Sequence, residues 1–303
     1  MTTNRRHLGW GLLAIVLLGS GGTSDSSLRV CFEARSAPFS AASGLRHGLD
    51  YDVAALVAES LDRSLSVHWF EASEEEEFPI PLQANALLSR GLCDLVGGYP
   101  LLTDSLGDPA TAEYRFVEGD GSWGHIRLNR LLASRPYLSL PLTLISAEKR
   151  TDIDRLDDIA GLRLAVERET LASAIAMVYG GARLQGGISR VSFEDDAIFK
   201  ALETRDADIA LVELHRFELY RGHFPDTRLR ETGYRHGLAV NTGFTGIDPL
   251  LLAEVDIAIQ ALGASDRIAE ISEAYGLSYS SPVDPAIFPP ITPRLLARRQ
   301  PHL

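Results

Sequence analysis

Two similar α/β lobes facing each other are the fold that the sequence predicts, and two observations lead there. The first is an internal echo. Leu28-Arg29-Val30-Cys31-Phe32-Glu33 is matched by Leu162-Arg163-Leu164-Ala165-Val166-Glu167, and Arg90-Gly91-Leu92-Cys93-Asp94-Leu95-Val96 by Arg205-Asp206-Ala207-Asp208-Ile209-Ala210-Leu211-Val212. Each half runs apolar strand, loop, helix, more chain, a second helix ending in Arg, and another apolar strand, an order that two packed α/β layers explain. Chance likeness of two generic βαβ units is the alternative, and the shared order argues against it. The second observation is the stretch Leu28 to Leu61: a buried strand, a loop holding Pro38-Phe39, and then Val53, Leu56, Val57, Ser60 and Leu61 on one helical face, with Asp50 and Asp52 at its positive N-terminal end. That loop lies at the carboxyl end of its strand, where open α/β sheets bind small ligands.

Taken in order, the chain has 303 residues, 45% apolar and 23% charged, enough for two lobes of about 110 to 150 residues each. Arg5, Arg6, an apolar run from Leu8 to Leu18 and Gly19-Ser20-Gly21-Gly22-Thr23-Ser24 have the three regions of a secretory signal peptide, which sets residues 1–24 apart. The run is far shorter than the roughly 20 residues that span a bilayer, a tethered single-pass form being the alternative. With no Cys behind it, a lipid anchor is not expected. Losing Arg5 and Arg6 moves the formal charge from −12 to −14, so the expectation is an acidic, exported, soluble protein with no nucleic-acid partner and no stable membrane insertion.

Cys31 lies in the first strand and Cys93 begins a second one, Cys93 to Gly97, after a helix-like Leu82 to Ser89. Parallel neighbours about 4.8 Å apart can be bridged when their register suits; two buried free thiols are the other reading. Asp248-Pro249 has the N-cap and N1 chemistry of a helix start, and a last helix from Asp266 stops at Gly276. Glu74 to Glu77 reads as a solvated acidic loop, Leu102 to Gly124 has no clear periodicity, and the Pro-rich tail 281–303 reads as loosely ordered.

Gly48-Leu49-Asp50-Tyr51-Asp52-Val53, following an apolar strand and a Pro-Phe loop, resembles the signature of the family 3 solute-binding proteins, the two-lobed periplasmic receptors known from polar amino-acid uptake; Tyr51 stands where that pattern prefers an aliphatic residue. The resemblance implies mainly parallel sheets flanked by helices and joined by two crossover strands, the periplasmic-binding-protein-like architecture of type II. Ser134-Arg135-Pro136-Tyr137 would lead into the first crossover, Thr151 to Gly161 into the first strand of lobe two, and the return crossover would lie near Gly237 to Asn241. The lobes would then be 28–141 plus 241–280 and 142–240. Leu102 to Gly124 would be an insertion at the cleft mouth.

The resemblance also implies a site: an aromatic wall at Phe39, Tyr99 beside it, the hydroxyl of Thr170 at a helix start, and Glu213 for a ligand amine. Each has a plainer reading: local packing for Phe39, an ordinary N-cap for Thr170, a surface acid for Glu213. The carboxylate-clamping Arg that the family places in a Thr-x-x-Arg turn is missing from Leu101 to Ser105. Arg127 or Arg130 stands near the family's spacing before Ser134, and Arg168 replaces a small residue. Ligand capture for an ABC-type permease is the expected function, by a monomer without cofactor or metal. A second expectation comes from a subgroup with Cys in both strands and an Arg-Pro-Tyr crossover, receptor-like accessory partners of periplasmic quinoprotein dehydrogenases. A third is a dehydratase-like enzyme using Glu169 or Glu213, although the eight His are scattered and no nucleophile, phosphate-loop or metal-ligand motif is present.

Overall fold

The computed structural model describes residues 27–71, 80–109, 111, 113–117, 122–150, 153–192, 196–290 and 292–296. The expected leader at 1–24, the acidic run Glu74 to Glu77 and the chain from 297 onward fall outside them. The first half holds β1 (Ser27–Glu33), β2 (Arg35–Ser36), β3 (Ser40–Ala41), α1 (Leu49–Ser60), β4 (Ser64–Phe70), α2 (Ile80–Ser89), β5 (Leu95–Pro100), β6 (Glu113–Val117), β7 (Trp123–Arg127), β8 (Leu132–Ala133) and β9 (Leu138–Ser146). Next come β10 (Leu164–Glu167), α3 (Leu171–Ala182), β11 (Ile188–Val191), α4 (Ala197–Glu203), β12 (Ile209–Glu213) and α5 (Leu214–His223). The chain continues through β13 (Arg230–Gly246), α6 (Pro249–Ala264), α7 (Arg267–Ala274) and α8 (Pro293–Leu296).

The internal echo is a structural repeat. In the first half β1 lies between β4 and β5, parallel to both; in the second, β10 lies between β11 and β12, again parallel to both. The repeated residues make the same contact twice. The carboxylate of Asp94 accepts the Arg29 backbone N–H (3.0 Å) and its guanidinium, and that of Asp208 accepts the Arg163 N–H (2.9 Å) and its guanidinium. In each lobe this pair fixes the start of the third strand against the start of the first.

The crossover strands are β9 and β13. β13 pairs with β5 through Thr242 to Gly246 and with β9 through Arg230 to Thr242, while β9 pairs with β12 through Leu142 to Ile145. Both strands therefore belong to both lobes. Pro141, without an N–H to donate, sits inside β9 opposite a register shift in β13 between Arg235 and Ala239. Each lobe has a main apolar cluster, Leu28, Val30, Val53, Val57, Val255 and Ile259 in the first and Leu142, Leu164, Val166, Ile175, Ile209 and Leu211 in the second, beside a smaller one on the other face of its sheet, around Cys31 and Leu101 in the first and Phe199 and Phe217 in the second.

The helix punctuation follows the sequence. The Asp248 carboxylate accepts the Leu250 and Leu251 N–H groups with Pro249 at N1, and Gly276 takes φ 74° just beyond α7. Gly48 has φ 110°, and a Cβ there would come within 2.3 Å of the Phe39 carbonyl oxygen, so only glycine lets α1 begin against the first loop. The Tyr275 hydroxyl accepts the Gly48 N–H (3.0 Å) and donates to Asp52 (2.9 Å), tying α7 to the same turn.

Three expectations are corrected. Cys93 does not begin a strand: it stands two residues before β5, in a turn that brings its Cα within 5.7 Å of Cys31, and the two are disulfide-bonded. The stretch 102–124 is not patternless, since it contributes β6 and part of a hairpin with β7, whose register pairs Glu113 with Arg127. The described part of the Pro-rich tail, 281–290 and 292–296, is held rather than loose: Phe288 and Leu296 are buried in the second lobe's core.

Candidate ligand-binding cleft

The loop after β1 is pinned by its own backbone. Phe39 N–H donates to the Ser36 carbonyl (2.8 Å), the Ser40 hydroxyl to Glu33 (2.8 Å), and the Asp50 N–H back to the Phe39 carbonyl (2.8 Å). Phe39 is thereby held half-buried, packed against the first lobe's core at its edge. Its ring meets His215 edge to face, with centroids 4.9 Å apart at 76°. His215 lies in the first turn of α5, directly after β12, so the contact joins the two lobes across their facing strand ends. Beneath it lies a small cavity bordered by Phe39, Ser139, Leu140, His215 and Glu218.

Beside His215 stands a group of acids. Glu213, the last residue of β12, brings its carboxylate within 3.5 Å of His215 Nε2. Glu167, the last residue of β10, is buried and accepts Arg216 at 2.9 Å; Arg216 is also 3.8 Å from Asp196. Burial pushes the Glu213 carboxyl up to about 7, Glu167 adds to the rise, and Arg216 offsets part of it. Burial, with the charge of Arg216, pushes His215 down to about 4, and burial raises Glu167 against the pull of Arg216. At neutral pH these strand ends therefore hold a neutral imidazole against the Phe39 ring and a Glu213 carboxyl near the midpoint of its titration.

The remaining expected residues stand elsewhere. Thr170 caps α3: its hydroxyl accepts the Ser173 N–H (3.1 Å) and donates to the Glu167 carbonyl (2.8 Å), which places it one turn behind the acid group. Arg168 is exposed between Glu167 and that cap, its backbone N–H bonded to Val191 (3.1 Å). Arg127 and Arg130 are exposed, Arg127 at the end of the surface hairpin. Tyr99 is buried, not open to the cleft, because it falls on the core-facing side of β5. It packs in the cluster that contains Cys31 and Cys93, and its hydroxyl donates to the Ser105 carbonyl (2.8 Å).

Sequence reasoning missed His215, Glu167 and Arg216. The signal was present for all three: Glu167 ends the repeated strand motif, as Glu33 does in the first half, and Glu213-Leu214-His215-Arg216 puts polar residues immediately past an apolar strand. A second buried acid lies in lobe one. Asp50, 3% exposed, accepts the Tyr137 hydroxyl (2.7 Å), which itself accepts the Gly98 N–H (3.0 Å). A Cβ on Gly98, at φ 65°, would fall 2.2 Å from Asp50 Oδ2.

No family model and no curated protein matches the chain. Solved structures do. The L-cystine solute receptor of Neisseria gonorrhoeae, in its unliganded open conformation, superposes with a TM-score of 0.60 at 20% identity, over 85% of this chain and 96% of that one. Substrate-binding domain 2 of GlnP from Lactococcus lactis, also open, gives 0.58 at 14% identity over 84% and 97%. The GluR0 ligand-binding core in complex with L-glutamate gives 0.56 at 18% identity over 84% and 99%. With its duplicated α/β units and paired crossover strands, the chain has the two-lobed fold of these ligand-binding proteins.

Proposed function

We propose that this chain is an exported solute-binding receptor of the family 3 kind, which takes a small polar solute bearing an amino group between its lobes and presents it to an ABC-type permease. The observation that carries this reading is the meeting of Phe39, His215 and Glu213 across the lobe interface, with the Glu213 carboxyl held near 7. Supporting it, the structural neighbours include a receptor for L-cystine and a core holding L-glutamate, both amino-bearing solutes. Arg168, exposed beside Glu167, is the residue proposed to meet a solute carboxylate, and Thr170 lies next to it at the start of α3. No residue is assigned a catalytic role.

One observation favours a second reading. Cys31 and Cys93 are bonded and Arg135-Pro136-Tyr137 precedes the first crossover strand, the features shared with the accessory partners of quinoprotein dehydrogenases. The two readings separate in a thermal-shift panel of amino acids, polyamines, small organic acids and sugars. A solute at about 100 times its dissociation constant adds roughly 2.7 kcal/mol, which raises the midpoint by about 5 to 10 °C. A shift of that size with amino-bearing compounds is the expected result. No shift across the panel, with retention of a periplasmic dehydrogenase in a pull-down, would replace the receptor reading by the second.

A further inference from the structure

The C-terminal residues 277–290 and 292–296 touch both lobes and both crossover strands, the parts that must move if the lobes change their angle. The segment leaves α7 in the first lobe, where Leu277 is buried in the core. The Ser278 N–H then donates to both oxygens of Glu218 on α5 (3.1 and 3.2 Å), a buried carboxylate of the second lobe. Ser280 accepts the N–H of Ser139 on β9 (3.0 Å). Asn241 on β13, 1% exposed, donates to the carbonyls of Val283 (2.7 Å), Ala286 (3.1 Å) and Pro285 (3.3 Å), and accepts the Val283 N–H (3.0 Å). Both crossover strands are thus bonded to the segment near the middle of the sheet.

Beyond the clasp the segment is fixed to both lobes again. Phe288 exchanges backbone bonds with the chain after β5, its N–H donating to Leu101 (2.7 Å) and its carbonyl accepting the Thr103 N–H (2.9 Å) and hydroxyl (3.0 Å). The Phe288 side chain nevertheless belongs to the second lobe's cluster, together with Leu296, while α8 lies on α3. A hinge motion bends β9 and β13 and separates these anchors. Because a buried amide that loses its partners costs more than a solvated one, the segment resists that bending as a unit.

We propose that residues 277–290, together with α8, form a strap that sets the angle between the lobes, with Asn241 as its clasp and the Phe288 and Leu296 anchors as the part that must slip for the lobes to open. Nothing in this depends on what the cleft binds, so its test needs no solute. Spin labels on Ser60→Cys at the end of α1 and Lys200→Cys in α4, both exposed, report the inter-lobe distance by pulsed electron resonance with the native disulfide intact. The expected result is a narrow distribution in the parent and one at least twice as broad, extending to longer distances, in Asn241→Leu, with a smaller broadening in Thr103→Val. Phe288→Ala, which keeps the clasp and removes the second-lobe anchor, is expected to behave like Asn241→Leu and decides the matter if that variant does not fold. Distributions as narrow as the parent's, while amide exchange at Val283 and Phe288 is tenfold faster, would show a released strap with unmoved lobes and overturn the proposal.

Discussion

Removing the Cys31–Cys93 bond is expected to lower the stability of the chain by about 4 kcal/mol. The two cysteines are 62 residues apart and enclose α1, β4 and α2, so the bond closes most of the first repeat in the unfolded chain. The chain-entropy cost of a loop this long gives that magnitude. Cys31 and Cys93 are buried among Phe70, Ala84, Leu88, Val96 and Leu101, so alanines at these positions stay in apolar surroundings and leave no polar group unpaired. The double variant Cys31→Ala/Cys93→Ala, compared with the parent by urea unfolding, should show the loss, and the thermal midpoint should fall by about 10 °C. A loss below about 1 kcal/mol would mean that the unfolded chain is already compact between these residues.

Replacing Asp50 by Asn is expected to stabilise the protein at pH 8 by up to about 4 kcal/mol and to change little at pH 4. Burial pushes this carboxyl from 3.8 up to about 7, against the favourable Tyr137 bond, and that gap corresponds to the energy stated. A carboxyl with a raised native value holds its proton more tightly when folded. Its contribution favours folding at and below pH 4 and is lost as the pH rises through 7. The amide oxygen of the asparagine in Asp50→Asn can accept the same Tyr137 hydroxyl, and the side chain never ionises. Glu213, also near 7, slopes the same way, whereas His215 and His236, both pushed from 6.5 down to about 4, stabilise above 6.5 and lose that contribution as the pH falls through 4. The difference between parent and variant, measured by urea unfolding at pH 4 and 8, isolates Asp50 from these opposing slopes. An equal difference at both values would contradict the assignment.

The parts of the fold legible in the sequence are those set by local rules. The strand at Leu28 to Phe32, the Asp248-Pro249 helix start and the glycine at 276 depend on residues adjacent in the chain, and the repeat was readable because duplicated units keep their Arg and Asp positions. What escaped reading depends on distant partners. The tail has no periodicity of its own, and its order comes from the amide of Asn241, more than forty residues earlier. The β6–β7 hairpin is a two-stranded surface ribbon, too short to show an alternating apolar face. In the cleft, Phe39 and Glu213 could be placed at strand ends, but the pairing of Phe39 with His215 exists only because the crossover strands turn one lobe toward the other. Tyr99 shows the complementary limit: a residue at a strand end can face the cleft or the core, and the irregularity of β5, with Gly98 at φ 65° and a register shift against β13, puts Tyr99 in the same buried cluster as Val96.

The measurement that bears most directly on a solute-binding receptor is X-ray scattering of the protein with and without the compound giving the largest thermal shift. Hinge bending of β9 and β13 around a bound solute is expected to reduce the radius of gyration at saturation and to leave it unchanged with compounds that give no shift. A radius that stays constant while calorimetry shows the site to be full would contradict closure of the lobes around a ligand.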